Sequence, residues 1–344
     1  MGKTYNEQVN ECLRAARRRT PSRLRAGEMG RDELASLVAQ WITEHDPKRR
    51  YSPFDGNALG KLERGVIKCP RADVRRALCE LLGATEAELG FAPSDDAERV
   101  SAAVSGRLHT DARALTAVAD ALAHLRQLED FTSASTVLPN VLAQRATVRE
   151  LAKNAKGNVR KTAVGLLSEL EQYLGWLSIP IGRLNDSRVH LDRSATLALE
   201  ADDPIRLAHA LSFNAYRNLR ERDFATAAAL NEAAGRDTRT YIGLRAYGEF
   251  QRAEILAKSG EQADSLAALS KAEHLSANVP EPDEETPASC YYYTPEFFVG
   301  QGAFTLIALG DVEGARTKAR EALSVLPEHW ADSEWAERWR RLAG

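Results

Sequence analysis

Small side chains recur at one fixed spacing through the C-terminal half of the sequence. Four sets of three share the same internal intervals, 12 residues and then 7. The sets are Gly175, Ser187 and Ser194; Ala215, Ala227 and Ala234; Ala253, Ser265 and Ala272; and Ala303, Ala315 and Ala322. Two helices approach closely only where the side chains between them are small, so this spacing predicts a repeated helical hairpin. The chain is therefore predicted to be all-α.

The repeat pattern resembles tetratricopeptide repeats in a degenerate form. Its sets begin 40, 38 and 50 residues apart, whereas that family repeats about every 34 residues. The resemblance implies an α-solenoid whose inner wall, formed by the first helix of each hairpin, binds a peptide or another ligand. The inward-facing candidates are Gln172, Trp176, His209, Ser212, Tyr216, Arg220, Tyr247, Phe250, Glu254, Lys258, Phe297 and Phe304. Each could equally be a packing residue between helices, but as a group they favour a binding wall.

A second informative stretch, residues 55–65, has the pattern of a short helix with one cationic face. Leu59 and Leu62 are three residues apart and can share a buried face, while Asp55 and Gly65 suit the start and the stop of a helix. The residues left on the outside are Asn57, Ala58, Gly60, Lys61 and Arg64. An amide can read a base edge and cations can contact phosphate, so this face is predicted to contact DNA.

With its flanks, this stretch resembles the helix-turn-helix of the Cro/repressor (XRE) class over residues 6–91. Residues 31–35, Arg-Asp-Glu-Leu-Ala, resemble the start of the first motif helix, and residues 61–65 resemble the end of the recognition helix. A packing helix is expected after Pro70. The two motif helices are farther apart than in the common form, which predicts a first helix lengthened to His45 and then a loop, 46–54.

The loop carries Lys48, Arg49 and Arg50, which are either a basic flap over phosphate or part of a flexible surface loop with incidental charge.

The charge of the chain is unevenly distributed. Residues 1–91 hold 17 Lys and Arg against 13 Asp and Glu, and the remainder holds 29 against 36, so the net charges are +4 and −7. A basic head on an acidic body suits DNA binding. Phosphate contact is also favoured for the arginines crowded near the start, which are Arg14, Arg17, Arg18, Arg19, Arg23 and Arg25.

Composition and motifs argue against several other classes. The 344 residues are 44% hydrophobic with a mean hydropathy of −0.39, and no apolar run or signal peptide is evident, so a cytoplasmic, nucleoid-associated protein is expected. The four cysteines show no Cys-x-x-Cys spacing, which predicts neither a zinc site nor disulfides. No phosphate loop, His-Glu-x-x-His or Gly-x-Ser-x-Gly motif occurs. An enzyme is not expected, and neither a metal nor a cofactor is predicted.

The predicted organisation has three parts: a DNA-binding domain, 1–92, a helical middle region, 93–162, and a repeat domain, 163–344. Apolar residues at three- and four-residue steps form one stripe in the middle region. This stripe is either a dimer seam or the inner face of the helical body. Its members are Ala112, Leu115, Val118, Leu122, Leu125 and Leu128.

The layout resembles actinobacterial XRE-type regulators with a tetratricopeptide-like C-terminal region. The resemblance implies a homodimeric transcriptional regulator of double-stranded DNA, with Arg31 joining the contacts predicted above. A peptide, a small molecule or a protein partner in the repeat groove is expected to modulate DNA binding. The alternative is a scaffold whose repeats dock a protein while the head binds little DNA.

Overall fold

The computed structural model describes residues 9–45, 54–67, 70–91 and 95–344. Within these ranges every regular element is a helix, apart from an isolated bridge between Pro21 and Glu28. The prediction of an all-α protein is therefore confirmed. The chain divides into two compact units, residues 1–109 and 110–344. The middle region thus contributes to both units.

The first unit is built from five helices over its described residues. They are α1 Glu11–Arg19, α2 Arg31–His45, α3 Gly56–Glu63, α4 Ala72–Leu82 and α5 Asp96–Val104. Helix α2 begins at Arg31 and ends at His45, as expected from the sequence. Helix α3 packs against α1 and α2, and α4 packs against α2. Their shared core is apolar and is centred on Leu13, Leu34, Leu59 and Leu78, each fully buried.

The second unit continues as a series of helices. They are α6 Ala112–Phe131, α7 Ala134–Asn154, α8 Gly157–Ser178, α9 Leu184–Glu200, α10 Pro204–Glu221, α11 Phe224–Ala234, α12 Ile242–Ser259, α13 Gln262–Ser276, α14 Pro295–Val299, α15 Gly302–Ala308, α16 Val312–Val325, α17 Glu328–Ala331 and α18 Glu337–Ala343. Two 3-10 turns, Ala288–Cys290 and Glu334–Ala336, complete it.

The phased small residues lie where neighbouring helices touch. Helices α8, α10, α12 and α15 carry the first member of each set, and α9, α11, α13 and α16, which pack against them in that order, carry the other two. Eleven of the twelve small residues are buried, and Ala234 is half-buried. At Gly175 a Cβ atom would lie 2.5 Å from Cγ of Leu191, so this crossing excludes any larger side chain. The helical hairpins predicted from the spacing are therefore present.

Helix α6 departs from the predicted apolar stripe in its last two turns. Leu115, Val118 and Leu122 are buried, but Leu128 is 43% exposed. The side chains that face inward there are charged, namely Arg126, Glu129 and Asp130. A leucine pattern at helical spacing could not reveal this, because the partners of these charged side chains come from distant parts of the chain.

The C-terminal end of the second unit is closed by tryptophans. Trp330 and Trp339 are buried in the largest apolar cluster, which also holds Tyr293 and Phe298. The indole N–H of Trp339 donates to the carbonyl oxygen of Gly300 at 2.8 Å, so its one polar atom is satisfied. No helix in the described ranges has the length and apolarity needed to cross a bilayer.

Candidate functional site

Helix α3 presents a polar face on a buried apolar base. Its N-terminus is capped by Asp55, whose carboxylate accepts from the N–H of Ala58 at 2.7 Å. Leu59 and Leu62 are buried at 0% and 1% exposure, because they pack into the core of the first unit. The chain leaves the helix at Arg64, and Gly65 follows with φ +73°, the left-handed conformation that glycine adopts readily.

The side chains predicted to contact DNA on this helix have different environments. Asn57, Lys61 and Arg64 are exposed, and Ala58 is half-buried. Gly60 was expected to be outside, but it is buried. The Arg64 side chain lies beside it, since a Cβ atom at Gly60 would be 3.0 Å from the guanidinium. The available cationic face of α3 therefore consists of two cations and one amide. Lys48, Arg49 and Arg50 lie outside the described residues.

A buried carboxylate organises the basic residues around α3. Glu63 is fully buried and accepts from Arg17 Nε and from Arg31 Nε, each at 2.6 Å. Burial opposes ionisation, but the hydrogen bonds and charges of the two arginines outweigh it and lower the pKa of Glu63. Sequence analysis missed this role, since Glu63 was noted only as part of the end of the recognition helix.

The hydrogen bonds to Glu63 involve two of the predicted phosphate contacts, Arg17 and Arg31. Arg17 is 7% exposed and also donates to the carbonyl of Met29 at 2.7 Å, so it is a structural residue and its prediction as a phosphate contact is wrong. Arg31 keeps 43% of its side chain exposed beside Glu63. Of the other arginines crowded near the start of the chain, Arg14 is half-buried. The exposed ones are Arg18, Arg19, Arg23 and Arg25.

The second unit contains an aromatic cavity. About 820 Å³ of space not occupied by protein atoms lies within it, part of it open to solvent. Helices α8, α10, α12 and α15 form one wall, and α6, the segment 289–292, α14 and the C-terminal elements form the rest. Its aromatic lining consists of Tyr173, Trp176, Phe213, Tyr216, Tyr247, Tyr291, Tyr292, Phe297, Phe304, Trp335 and Trp339. A concave site lined mostly by apolar rings with a few polar groups is typical of small-molecule binding.

Seven of the twelve inward-facing candidates line this cavity, and they are Gln172, Trp176, His209, Tyr216, Tyr247, Phe297 and Phe304. The shared feature is their position on helices that carry the first small residue of a set or on the short helix α14. The spacing of the small residues therefore identified the helices that form part of the cavity lining.

The other five candidates lie elsewhere. Phe250 stacks on Phe298 in the core, with ring centroids 5.9 Å apart, and Ser212 is buried and donates to Gln251 at 2.8 Å. Glu254 is buried and forms ion pairs with Lys258 at 2.9 Å and with Arg338 at 2.6 Å. Arg220 and Lys258 line a separate opening. None of these five lines the aromatic cavity.

The two arginines that line the cavity are each neutralised by a carboxylate. Arg126 is 4% exposed and donates to Glu169 at 2.6 Å, while Glu169 also pairs with Arg206 at 2.8 Å. Burial opposes ionisation of Glu169, but the two arginines outweigh it and lower its pKa to about 2. Arg338 pairs with Glu254 as described, and its guanidinium lies 3.6 Å from the centroid of the Phe304 ring.

The carboxylates of Glu129 and Asp130, which also line the cavity, form no ion pair with an arginine or lysine of the described ranges. Glu129 accepts from the Tyr173 hydroxyl and from the Trp176 indole N–H, both at 2.8 Å. Asp130 accepts from the Tyr291 hydroxyl at 2.8 Å. It also accepts from two indole N–H groups, those of Trp330 at 3.1 Å and Trp335 at 3.0 Å. All five donors are neutral.

Burial dominates the titration of this pair. It raises the pKa of Glu129 to about 7, although the bonds from Tyr173 and Trp176 act in the opposite direction, and the negative charges of Asp130 and Glu334 raise it further. Burial likewise raises the pKa of Asp130. Neither residue was predicted from the sequence. The signal that could have indicated them is the pair of adjacent acids that directly follows the last leucine of the α6 stripe.

The run of residues 290–293 is shared between core and cavity. Cys290 and Tyr293 are fully buried, whereas Tyr291 and Tyr292 line the cavity. The Tyr292 hydroxyl lies 3.0 Å from Nε2 of His209. Burial lowers the pKa of His209 to about 3, so its ring is neutral near pH 7. The run therefore contributes both to the core and to the cavity lining.

Among the described residues, no three His, Cys, Asp or Glu side chains are grouped so that they could hold a metal ion. The cavity is lined mostly by aromatic rings, and the adjacent acids Glu129 and Asp130 are part of its lining. The sequence matches no protein-family model, and no curated protein is significantly similar to it.

Proposed function

We propose that this protein is a DNA-binding transcriptional regulator whose second unit binds an effector. The observation that carries the proposal is the exposed face of α3, where Asn57, Lys61 and Arg64 project from a helix whose opposite face is buried. An amide flanked by two cations is the combination that reads a base edge while holding the phosphate backbone.

The Glu63 network supports this assignment. It fixes the last turn of α3 to α1 through Arg17 and to the start of α2 through Arg31, so the exposed side chains stand on a rigid base. Arg31, half-exposed beside that network, remains a candidate phosphate contact. Charge also favours DNA, because residues 1–91 carry a net +4 and the remainder a net −7.

The aromatic cavity supports the effector role. It lies wholly within the second unit, and its lining includes residues from helices α6, α8, α10, α12 and α15. A ligand that contacts several helices at once can stabilise one arrangement of them. It shifts DNA binding only by its differential affinity for the two arrangements, and about 1–3 kcal/mol of coupling is typical.

The DNA-binding face is tested by electrophoretic mobility shift against genomic fragments over a range of salt concentrations. Asn57→Ala is expected to reduce sequence preference by about 1–3 kcal/mol, because an amide makes a paired contact to one base. Lys61→Ala or Arg64→Ala is expected to weaken binding to all fragments and to lower the salt dependence by about one ion each.

Arg149→Ala is the matched control, since it removes one exposed cation from the second unit. It is expected to bind DNA as the unaltered protein does. A triple variant of Asn57, Lys61 and Arg64 that keeps both affinity and salt dependence contradicts the assignment. Absence of binding to any fragment by the unaltered protein would favour the scaffold alternative.

A further inference from the structure

The carboxylates at the end of α6 differ from the other buried acids of the second unit. Glu169 and Glu254 each contact two cations, and Glu171 has Arg145, Arg193 and His190 within 3.7 Å. Glu129 and Asp130, each 5% exposed, are bound only by hydroxyl and indole donors. No lysine or arginine in the described part of the chain forms an ion pair with either of them.

Negative charge therefore accumulates at one end of the cavity. Glu334 adds to it, because its charge contributes to the raised pKa of Glu129. The charge of His329 acts in the opposite direction on Asp130. Removing a carboxylate from water without a cation is costly, so a buried pair of this kind is incompletely compensated as it stands.

The walls beside these carboxylates are aromatic. Tyr173, Trp176, Tyr291 and Trp335 bind the acids through their polar atoms and line the same cavity with their rings. The Trp176 ring packs edge-on against Phe213, with centroids 5.6 Å apart, which fixes its orientation. Ring faces attract cations, and the attraction is larger where water is excluded.

We propose that the cavity binds a hydrophobic organic cation, whose positive charge lies beside Glu129 and Asp130 and whose apolar body lies among the rings. This deepens the proposed function, on which it rests for the role of the ligand as effector. A concave, mostly aromatic lining with a few polar groups is typical of a small-molecule site. An amine or quaternary ammonium supplies the charge that the two acids lack.

Two other ligand classes fit less well. A metal ion is disfavoured, because no third acid or histidine joins the pair in a metal-binding group among the described residues. An anion is disfavoured, because both arginines of the lining already contact buried carboxylates. A neutral ligand would leave the acids unpaired.

The test uses isothermal calorimetry on the full chain with benzyl-, naphthylmethyl- and anthracenylmethyl-trimethylammonium as probes. At least one is expected to bind with a Kd below about 1 mM, and at least about tenfold more tightly than the naphthalene sulfonate and naphthylmethanol comparators. Glu129→Gln is expected to weaken that binding by at least about tenfold, and Glu129→Gln with Asp130→Asn by more. Glu321→Gln, an exposed site on α16, is the matched control and is expected to change nothing.

A pH series separates electrostatics from packing, because a quaternary ammonium has no titratable proton. Cation binding favours ionised Glu129, so affinity is expected to fall as the pH drops from about 8 to about 5.5. The charged and titratable groups near Glu129 are Asp130 and Arg126 on its own helix, Glu334, and the neutral donors Tyr173 and Trp176, and His329 acts on the adjacent Asp130. In Glu129→Gln the decline is expected to be smaller. This readout remains informative even if the substitution lowers stability, provided that circular dichroism shows a folded chain.

Three outcomes overturn the inference: no binding of any probe cation, equal or tighter binding of the sulfonate or the alcohol, or unchanged cation affinity in the folded double variant. Mobility shift without added ligand is measured in parallel. DNA binding without cation binding rejects the ligand assignment alone, whereas cation binding without DNA binding rejects the regulator and leaves the site standing.

Discussion

At the scale of single residues, Glu63 shows how a basic surface is held in place by a buried acid. Its carboxylate joins Arg17, which is 7% exposed, to Arg31, which is half-exposed. A buried ion pair contributes little beyond an apolar replacement, but removal of one partner leaves a buried charge uncompensated. The role of Glu63 is therefore to position α3, whose exposed Asn57 and Lys61 precede it and whose C-cap residue Arg64 follows it directly.

Glu63→Gln is expected to destabilise the first unit by about 3 kcal/mol, because the buried Arg17 loses its counter-charge. The measurement is urea denaturation, with hydrogen exchange in peptides from residues 9–91 to localise the effect. Arg31→Ala is the control, and it is expected to cost about 1 kcal/mol or less, since this guanidinium is partly in water. Equal losses in the two variants would contradict the assignment of Arg17 as the dependent partner.

The pKa of Glu63 also determines how the free energy of unfolding changes with pH. The pKa of Glu63 is lowered from 4.5 on folding, so its contribution to stability is present above 4.5. It is lost as the pH falls through the lower folded value. The free energy of unfolding is accordingly expected to fall more steeply below pH 4.5 in the unaltered protein than in Glu63→Gln.

At the scale of helices, the second unit depends on close crossings. Gly175 on α8 meets Leu191 on α9, and a Cβ atom there would overlap Cγ of Leu191 at 2.5 Å. Gly248 on α12 is also inside a helix, but a Cβ atom there would meet only Asn231 Nδ2, at an ordinary 3.9 Å. The two glycines thus differ in packing while sharing the low helix propensity of the residue.

Gly175→Ala is expected to destabilise the second unit by about 1–3 kcal/mol through overpacking, whereas Gly248→Ala is expected to stabilise it by up to about 1 kcal/mol. Thermal denaturation of both variants measures the difference. Adding Leu191→Ala to Gly175→Ala opens room at the crossing, so the double variant is expected to lose less stability than the sum of the two single variants. Strict additivity would show that the two side chains do not meet.

At the scale of the whole molecule, the two units differ in their apolar cores and in their charge balance. The core of the first unit and the largest core of the second share no residue, so each unit has an apolar interior of its own among the described residues. The basic balance lies at one end of the chain and the acidic balance in the rest. This separation fits the proposed regulator, because DNA contact requires cations and the proposed cationic ligand requires carboxylates.

Two copies are expected to bind one operator, because a single small head makes too few base contacts for useful specificity. The operator is expected to be approximately two-fold symmetric with half-sites about one helical turn apart. Analytical ultracentrifugation of the protein with DNA containing one or two half-sites measures this. Purely monomeric protein at micromolar concentration, with either DNA, would contradict a homodimeric regulator.

The sequence alone determined the all-α class and the contact positions of the repeats, and the family resemblance indicated the helix from Arg31 to His45. These features depend on local patterns: capping residues, apolar spacing and small side chains, each of which is legible in a window of one or two helices. For the same reason the exposure of Asn57, Lys61 and Arg64 was predictable, since Leu59 and Leu62 define the buried side of their own helix.

Only the tertiary structure decided where charge is buried. Arg17 and Glu63 are 46 residues apart in sequence, and Glu129 meets Trp176 across 47 residues, so no local pattern could pair them. The leucines of α6 likewise predicted an apolar face where Arg126, Glu129 and Asp130 face the interior. Whether an acid or an arginine is buried depends on the partner that the fold brings to it, because burial without a partner is costly and burial with one is tolerated.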